Sequence, residues 1–263
     1  MAIDLKSISR DPVMAPPRII VYGPHKIGKT TFGAGAPSPI VISTEEGIGR
    51  LDVPHFPVLT EYAQVIEALG ALYQEEHEYA TVVVDSADWL EPIVWREICR
   101  RKGWQDVESP GYGKGYLAAL DVWREVLAGA NALRAERGMC VVFLAHAEIK
   151  RFDAPDTDPF DRYQIKLQPR AAALLEEWAD AVLFANYRTY VQKTDVGFNK
   201  SVTRGVGVGE RLLFTEERPA FKAGNRYSLP PELPLSWAAF QAALGGAEAE
   251  PEQASEASEQ AAD

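Results

Sequence analysis

The stretch RIIVYGPHKIGKTT, residues 18–31, decides the fold of this chain. Its first five residues form a short β-branched run typical of a buried strand, and residues 23–30 match G-x-x-x-x-G-K-[ST] at every defined position. In this pattern backbone N–H groups of a loop surround phosphate oxygens, and the helix that follows points its positive end at the anion. The stretch therefore predicts a phosphate-binding loop at the carboxyl end of a strand.

Two side chains of this loop carry the chemistry. Lys29 is expected to neutralise the β- and γ-phosphates of a nucleoside triphosphate, and the Thr30 hydroxyl is expected to ligate Mg²⁺. No base-reading residue can be identified, so the loop alone does not separate ATP from GTP. The residues predicted to bind the nucleotide are Gly23, Pro24, His25, Lys26, Ile27, Gly28, Lys29, Thr30 and Thr31.

A later apolar run, residues 81–84, leads directly into Asp85. An apolar strand that ends in an acid after a phosphate loop is the Walker B pattern, so Asp85 is expected to hold Mg²⁺ through water beside Thr30. Ser86 stands where many P-loop ATPases place the glutamate that activates the attacking water. A hydrolytic base must therefore come from another strand.

The apolar run of residues 40–43 supplies that candidate base. It is followed by Thr44, Glu45 and Glu46, so two carboxylates lie at the carboxyl end of this strand. A glutamate in this position can face the γ-phosphate and orient the attacking water. We prefer Glu45 as the base and keep Glu46 and Asp88 as the alternatives.

The order of apolar and helical patterns predicts an α/β fold, a mostly parallel sheet with helices on both faces. Ligands bind such sheets at the carboxyl ends of the strands, where each candidate above lies. Residues 187–191 and 211–215 are predicted to form a late antiparallel hairpin, and residues 117–137 a strong helix. Residues 99–116 are predicted to be an ordered loop, and residues 150–164 a mobile loop.

Composition divides the 263 residues into three parts. Residues 1–17 are predicted to be an N-terminal arm, and residues 18–245 one nucleotide-binding domain. Residues 246–263 hold six acidic residues and no lysine or arginine, and are predicted to be a disordered acidic tail. The net charge of −11 therefore overstates the acidity of the folded surface and leaves room for a local basic patch.

Several signals predict a cytoplasmic protein without a membrane partner, in the bacterial host if the chain is encoded by a phage or prophage. No run of about 18 apolar residues is present, and the first residues lack the apolar core of a secretion signal. Cys99 and Cys140 are isolated in sequence, which fits a reducing compartment and builds neither a disulfide framework nor a zinc site.

Together the motifs resemble those of RecA-like recombinases and hexameric helicases. The phosphate loop, Thr44-Glu45, Asp85 and the strand end at Leu144-Ala145-His146 occur in the same order. More closely, over about residues 18–235, the chain is similar to phage-encoded ATP-binding proteins of the RecA-like single-strand-annealing group. The further stretches that carry this similarity are PGYGKGY (110–116), FLAH (143–146) and ERPAFKAGNRYSLP (217–230).

The resemblance implies a set of properties beyond the residue patterns. The ligands would be ATP and Mg²⁺, Glu45 the catalytic base, and His146 the sensor of the γ-phosphate at a place where recombinases usually carry glutamine. The protein would handle single-stranded DNA in recombination or replication, with a single-strand-binding protein as a further partner. It would form a homo-oligomer, a ring or a filament, with the nucleotide at the subunit interface.

Two surfaces are candidates for contacts beyond the nucleotide. Two loops could bind DNA, since both carry cations that can bind phosphates and aromatic rings that can stack on bases. Residues 100–116 are the better candidate, because the other loop, which follows Lys150, carries four aspartates that would repel DNA. The DNA candidates are Arg100, Arg101, Lys102, Trp104, Tyr112, Lys114 and Tyr116. By the resemblance, Lys222 and Arg226 are candidates to reach the nucleotide of a neighbouring subunit.

Three other functions remain open at the level of sequence. A nucleotide-gated binding protein with little hydrolysis differs from an ATPase only in whether Glu45 is positioned. A nucleoside or nucleotide kinase would need an acceptor pocket, which sequence alone does not exclude. A GTPase is disfavoured, because residues 192–195 (QKTD) only partly match the guanine-reading motif N-K-x-D.

Overall fold

The structure is a computed structural model that describes residues 15–155, 157–195 and 201–247. Residues 1–14 of the predicted arm and 248–263 of the predicted tail lie outside this description. The elements in chain order are β1 (Arg18–Gly23), α1 (Lys29–Ala34), β2 (Pro39–Ser43), α2 (Tyr62–Gln74), β3 (Thr81–Asp85), α3 (Ala87–Lys102), α4 (Lys114–Glu136), β4 (Cys140–Ala154), β5 (Thr157–Ile165), α5 (Pro169–Trp178), β6 (Ala181–Asp195), β7 (Ser201–Phe214), β8 (Gly224–Asn225), β9 (Glu232–Pro234) and α6 (Trp237–Ala247).

The main sheet has the order β2-β3-β4-β1-β6-β7-β9, and its first five strands are parallel neighbours. Strand β7 pairs antiparallel with β6, which confirms the predicted α/β class and its late hairpin. The register places Gly23 opposite His146 and Ser43 opposite Asp85. The carboxyl ends of β1, β2 and β3 and the middle of β4 therefore meet at one edge of the sheet.

Helices cover both faces of the sheet because side chains of each strand alternate between the faces. On β1, Ile20 and Tyr22 point into a core shared with α2, α3, α4 and α5, whose largest fully buried side chain is Trp123. The intervening Ile19 and Val21 point into a second core, shared with α1 and α6. Among the described helices, none has both the length and the apolar character needed to cross a membrane.

The predicted loop over residues 99–116 is wrong at both of its ends. Helix α3 continues through Arg100, Arg101 and Lys102, and α4 already begins at Lys114. Helix α3 stops at Gly103, whose φ of 67° is the left-handed conformation common at helix ends. The true connection, residues 103–113, is therefore shorter than predicted, and most of the predicted DNA candidates are on helices.

The predicted mobile loop over residues 150–164 is also wrong, because the described residues of this range form two paired strands. Strand β4 runs on past the main sheet and pairs antiparallel with β5, from Ala147 opposite Ile165 outward. The rings of Phe152 and Phe160 form a cross-strand pair with centroids 5.4 Å apart. The polar composition of this segment reflects a two-stranded arm that projects from the sheet and has little core to face.

One helical prediction needs a smaller correction. Leu117, the first residue of the predicted helix, is apolar but 52% exposed. The helix starts one turn earlier than predicted, and its buried stripe begins at Gly115 and Ala119 instead. Leu117 lies on the outer side of that first turn.

Candidate functional site

The phosphate loop connects β1 to α1 in a tight turn. Gly28 has a φ of 117°, which only glycine adopts without strain, and Ile27 is fully buried beneath the loop. Lys29 is only 5% exposed, and its ammonium donates to the carbonyl oxygens of Gly23, at 3.1 Å, and of Pro24, at 3.0 Å. Burial lowers the pKa of Lys29, while nearby carboxylates oppose that shift. The lysine is thus held against its own loop by neutral partners, and no carboxylate of the described residues forms a direct ion pair with it.

Thr30 and Asp85 form the pair that the sequence assigned to Mg²⁺. The Thr30 hydroxyl donates to Oδ2 of Asp85 over 2.7 Å, where α1 begins and β3 ends. Burial raises the pKa of Asp85, and the bond from Thr30 and the charge of Lys29 counteract that rise. One hydroxyl and one carboxylate fit Mg²⁺, which takes oxygen ligands and keeps most of its shell from water and phosphate. Within the described residues no group of three or more His, Cys, Asp or Glu could hold a metal by itself.

Glu45 is held by the residue that stands in the place of the missing glutamate. The Ser86 hydroxyl donates to Oε1 of Glu45 over 2.7 Å. The backbone of Ser86 is in turn fixed by Thr44, whose hydroxyl accepts from its N–H at 2.9 Å and donates to its carbonyl at 2.8 Å. Burial raises the pKa of Glu45, and the bond from Ser86 partly offsets this. Glu46, one of the two alternative bases, is exposed.

His146 lies across the site from Glu45, at the point where β4 leaves the main sheet. Its Nδ1 is 2.9 Å from Oδ2 of Asp88, and its ring stacks on His25 of the phosphate loop with a centroid separation of 3.9 Å. Nδ1 also lies 3.9 Å from Oε1 of Glu45. The sequence placed these residues on separate strands and loops, and the structure brings them into one cluster.

A cavity of about 450 Å³ joins these groups. Most of its lining comes from the phosphate loop, the segment after β2, Asp85 and His146. Arg211 of β7 also lines it, and its Nη1 would lie 3.3 Å from a Cβ added at Gly28. Sequence reasoning missed Arg211, because only the pairing of β7 with β6 carries this residue across to the phosphate loop. No local motif marks it.

The DNA candidates lie at one corner of the molecule, but several of them already form ion pairs with carboxylates of the same chain. Arg100 donates to both carboxylate oxygens of Glu97, at 2.8 and 2.9 Å. Arg101 bonds Glu97 at 2.6 Å and Glu125 at 2.7 Å, and its guanidinium lies over the ring of Tyr62. These contacts hold the pKa of Glu97 at about 2. We call this region, the end of α3 to the first turn of α4, the α3–α4 corner.

The other candidates at the α3–α4 corner differ in their surroundings. The Tyr116 hydroxyl donates to Glu108 over 2.9 Å, and Trp104 packs partly buried against the core. Lys102 and Lys114 are exposed, and Tyr112 is 99% exposed. The free part of the predicted surface is therefore confined to the last turn of α3 and the start of α4.

The two candidates for a contact with a neighbouring subunit both have partners within the chain. Lys222 pairs with Glu176 at 2.6 Å, and Arg226 pairs with Asp180 at 3.0 Å. Asp180 also binds Arg18, so Arg226 lies beside the start of β1, at the opposite edge of the sheet from the phosphate loop. Neither side chain lines the cavity of its own chain.

Comparison with known proteins adds a family to this geometry. The model of the AAA domain family matches residues 15–227. A curated relative, the SPbeta prophage-derived uncharacterized protein YorG of Bacillus subtilis (strain 168), is 24% identical over 135 residues, 49% of this chain. The aligned part spans 40% of that relative's length. The crystal structure of the RadB recombinase aligns with a TM-score of 0.43 at 15% identity, over 86% of this chain and 90% of that one.

Proposed function

The chain belongs to the AAA domain family, and on that premise we propose that it is an ATPase that binds ATP with Mg²⁺ at the end of β1. The observation that carries the proposal is the joint geometry of three groups around one cavity. These are the buried ammonium of Lys29, the Thr30–Asp85 pair at 2.7 Å, and the Glu45 carboxylate held by Ser86. A phosphate-binding cation, a magnesium site and an oriented base are the parts that phosphoryl transfer to water requires.

Each residue has a defined part in the proposed reaction. Lys29 would leave its two carbonyl partners to neutralise the β- and γ-phosphates, and Thr30 and Asp85 would hold Mg²⁺. The Glu45 carboxylate accepts a hydrogen bond from the attacking water and orients it towards the γ-phosphate. Its raised pKa makes it a stronger base than an exposed glutamate, because the charged form is less well solvated.

We extend the proposal to single-stranded DNA, handled by a homo-oligomer in a phage-type recombination or replication process. Lys102, Lys114 and Tyr112 support it as exposed cations and an exposed ring at the α3–α4 corner, which suit backbone phosphates and base stacking. A relative of prophage origin fits the same setting. In such an assembly Lys222 or Arg226 would reach the nucleotide of the adjacent subunit once its bond to Glu176 or Asp180 is exchanged.

The test is a steady-state ATPase assay with Mg²⁺, with and without single-stranded DNA, run beside a sizing measurement of the assembly. The expected result is Mg²⁺-dependent release of phosphate that single-stranded DNA stimulates, together with a species larger than one chain. Duplex DNA of equal length serves as the control for unspecific charge effects. Binding of ATP without any turnover would favour a nucleotide-gated binding protein, and transfer of labelled phosphate to a nucleoside would favour a kinase.

A further inference from the structure

Arg211 is a cation that no sequence motif marks, and it reaches the phosphate loop from β7. In the order of the sheet β7 lies beyond β6 from β1, roughly 10 Å away at the usual spacing of strands. Its Nη1 would nevertheless lie only 3.3 Å from a Cβ added at Gly28, so the long side chain spans that gap. Arg211 thereby lines the same cavity as Lys29 and Thr30.

The alternation of side chains along β7 sets the direction of this arginine. Arg211 and Leu213 are two residues apart, so they point to the same face of the sheet. Leu213 belongs to the core shared with α1 and α6, and Arg211 therefore points to the face on which α1 packs. The carbonyl oxygen of Arg211 accepts from the backbone N–H of Leu235 at 3.1 Å, and Arg211 pairs with Tyr187 of β6. Its backbone is thus fixed from both sides.

The charge of Arg211 is available to a ligand. Two carboxylates of the neighbouring strands are bound to another cation, because Arg188 of β6 lies 2.7 Å from Glu210 and 3.1 Å from Glu232. Arg211 itself is exposed and forms no ion pair with any of the residues that the structure describes. A guanidinium without a carboxylate partner, placed in the lining of a phosphate-binding cavity, is suited to donate to phosphate oxygens.

The order of the strands indicates which end of a bound nucleotide Arg211 meets. Asp85 and Glu45, the groups assigned to Mg²⁺ and to the attacking water, come from the ends of β3 and β2, on one side of β1. Arg211 comes from β7, on the other side of β1. A triphosphate whose middle is held by the loop extends to both sides, so the end opposite the γ-phosphate lies towards β6 and β7. That end carries the α-phosphate and the nucleoside.

We propose that Arg211 binds the α-phosphate of the nucleotide held by its own chain. This inference rests on the proposed function, since it requires a nucleotide in the cavity. The guanidinium donates to an α-phosphate oxygen, while Lys29 neutralises the β- and γ-phosphates. ATP and ADP share the α-phosphate, so Arg211 stabilises both complexes equally and adds nothing specific to the transfer of the γ-phosphate. Arg211 is therefore a binding residue, and the turnover number at saturating ATP does not depend on it.

The test measures the dissociation constants of three ligands, each with Mg²⁺: ATP, ADP and inorganic tripolyphosphate, which has no nucleoside. In Arg211→Ala all three should bind about tenfold more weakly, because each loses one charge-assisted hydrogen bond at an exposed site. Arg211→Lys should recover part of this loss, since lysine keeps the charge but not the planar fork. The turnover number of Arg211→Ala at saturating ATP should stay within about threefold of that of the unmodified protein.

Arg188→Ala is the matched control. It removes a cation of the same hairpin that is paired with Glu210 and Glu232 and does not line the cavity. Its affinities for the three ligands should stay within about threefold of those of the unmodified protein. Arg211→Gln is a second variant, which keeps a polar side chain in case the alanine variant does not fold. The same equal loss for all three ligands is expected for it.

The outcomes separate the possible errors. Unaltered affinities in Arg211→Ala, or in Arg211→Gln, would overturn the inference. A loss for ATP alone would also overturn it, because it would place Arg211 at the γ-phosphate. A loss for ATP and ADP without one for tripolyphosphate would place Arg211 on the nucleoside, with the same consequence. If the unmodified protein binds none of the three ligands, the proposed function fails as well. If Lys29→Ala abolishes binding and Arg211→Ala does not weaken it, only this inference fails.

Discussion

The phosphate-binding edge and the α3–α4 corner are both rich in cations, yet they treat positive charge in opposite ways. At the edge, Lys29 is buried against two backbone carbonyls, and no carboxylate lies within ion-pair distance of it among the described residues. At the corner, Arg100 and Arg101 are tied to Glu97 by short ion pairs. A cation without a carboxylate partner remains available to a ligand, whereas a paired one has already lost most of its electrostatic reach.

This difference shows what a count of charges leaves out. In the sequence, Arg100 and Arg101 are indistinguishable from cations that bind phosphate. In the fold Arg101 links α3 to Glu125 of α4, and Arg100 pairs with Glu97 within α3. Lys102 and Lys114 are exposed and enter no ion pair among those found in the described residues. The variants below test the contrast between an available cation and a neutralised one, beginning with the largest expected effect.

Lys29→Ala should remove detectable ATP binding, a loss of at least about 100-fold, because the phosphates lose a desolvated charge partner. Isothermal calorimetry with ATP and Mg²⁺ measures this directly. Arg124→Ala is the control, since it removes an exposed cation of α4 that pairs with Asp121 on the same helix. Similar ATP affinities in the two variants would contradict the claim that Lys29, and not an ordinary surface cation, binds the phosphates.

Glu45→Gln should preserve ATP binding and lower turnover by about 100-fold or more, because glutamine cannot accept the proton of the attacking water. Single-turnover release of labelled phosphate separates this effect from binding. Glu46→Gln is the discriminating variant, and turnover within about threefold of the unmodified protein is expected for it. The reverse pattern would move the base to Glu46 and leave Glu45 as a structural residue.

Much of this edge could be predicted from sequence because its signals are local. The strand, the two glycines and the Lys29-Thr30 pair are contiguous, and Asp85 ends a strand of unmistakable composition. Arg211 and the partnership of Asp88 with His146 could not be predicted in this way, since strand pairing and helix packing bring them together over long separations. In the sequence, Ser86 stood out only because many P-loop ATPases have a glutamate at this position. Its hydrogen bond to Glu45 depends on β2 and β3 being neighbours in the sheet.

The β4–β5 hairpin shows a second limit of sequence reasoning. Its residues are polar with interspersed prolines, and an arm with little core to face leaves almost no apolar periodicity to detect. Cross-strand contacts such as Phe152 with Phe160 stabilise it instead. Such contacts become visible only when the register of the strands is known.

Arg101→Ala tests the paired cations of the α3–α4 corner. It should lower the free energy of unfolding by about 1–3 kcal/mol, because Glu97 loses a charged partner in a nearly buried position. Its affinity for single-stranded DNA should be unchanged. Lys114→Ala should instead keep the stability and reduce the slope of log affinity against log salt by about one. Equal losses of DNA affinity in the two variants would contradict the distinction.

Ser86→Ala should produce the smallest effect, a shift in the pH profile of turnover. Glu45 acts as a base only when ionised, so turnover falls as pH falls through its pKa. The bond from Ser86 lowers this raised pKa, and its loss should move the acidic limb upward by about one pH unit or less. Ser43→Ala is the control, since the Ser43 hydroxyl is buried without a hydrogen-bond partner among the described residues. An unshifted limb in Ser86→Ala would separate Ser86 from the base.

The end of β1 lies so close to β6 that a Cβ at Gly23 would be 2.2 Å from the carbonyl oxygen of Ala185. The close spacing of these two strands therefore requires glycine at this position, whatever ligand the loop binds. A homologue that no longer bound nucleotides would still need glycine at this position, whereas Lys29 and Thr30 could be replaced. Retention of Gly23 in a homologue therefore indicates that the sheet is kept, and only retention of the lysine and threonine indicates that nucleotide binding is kept.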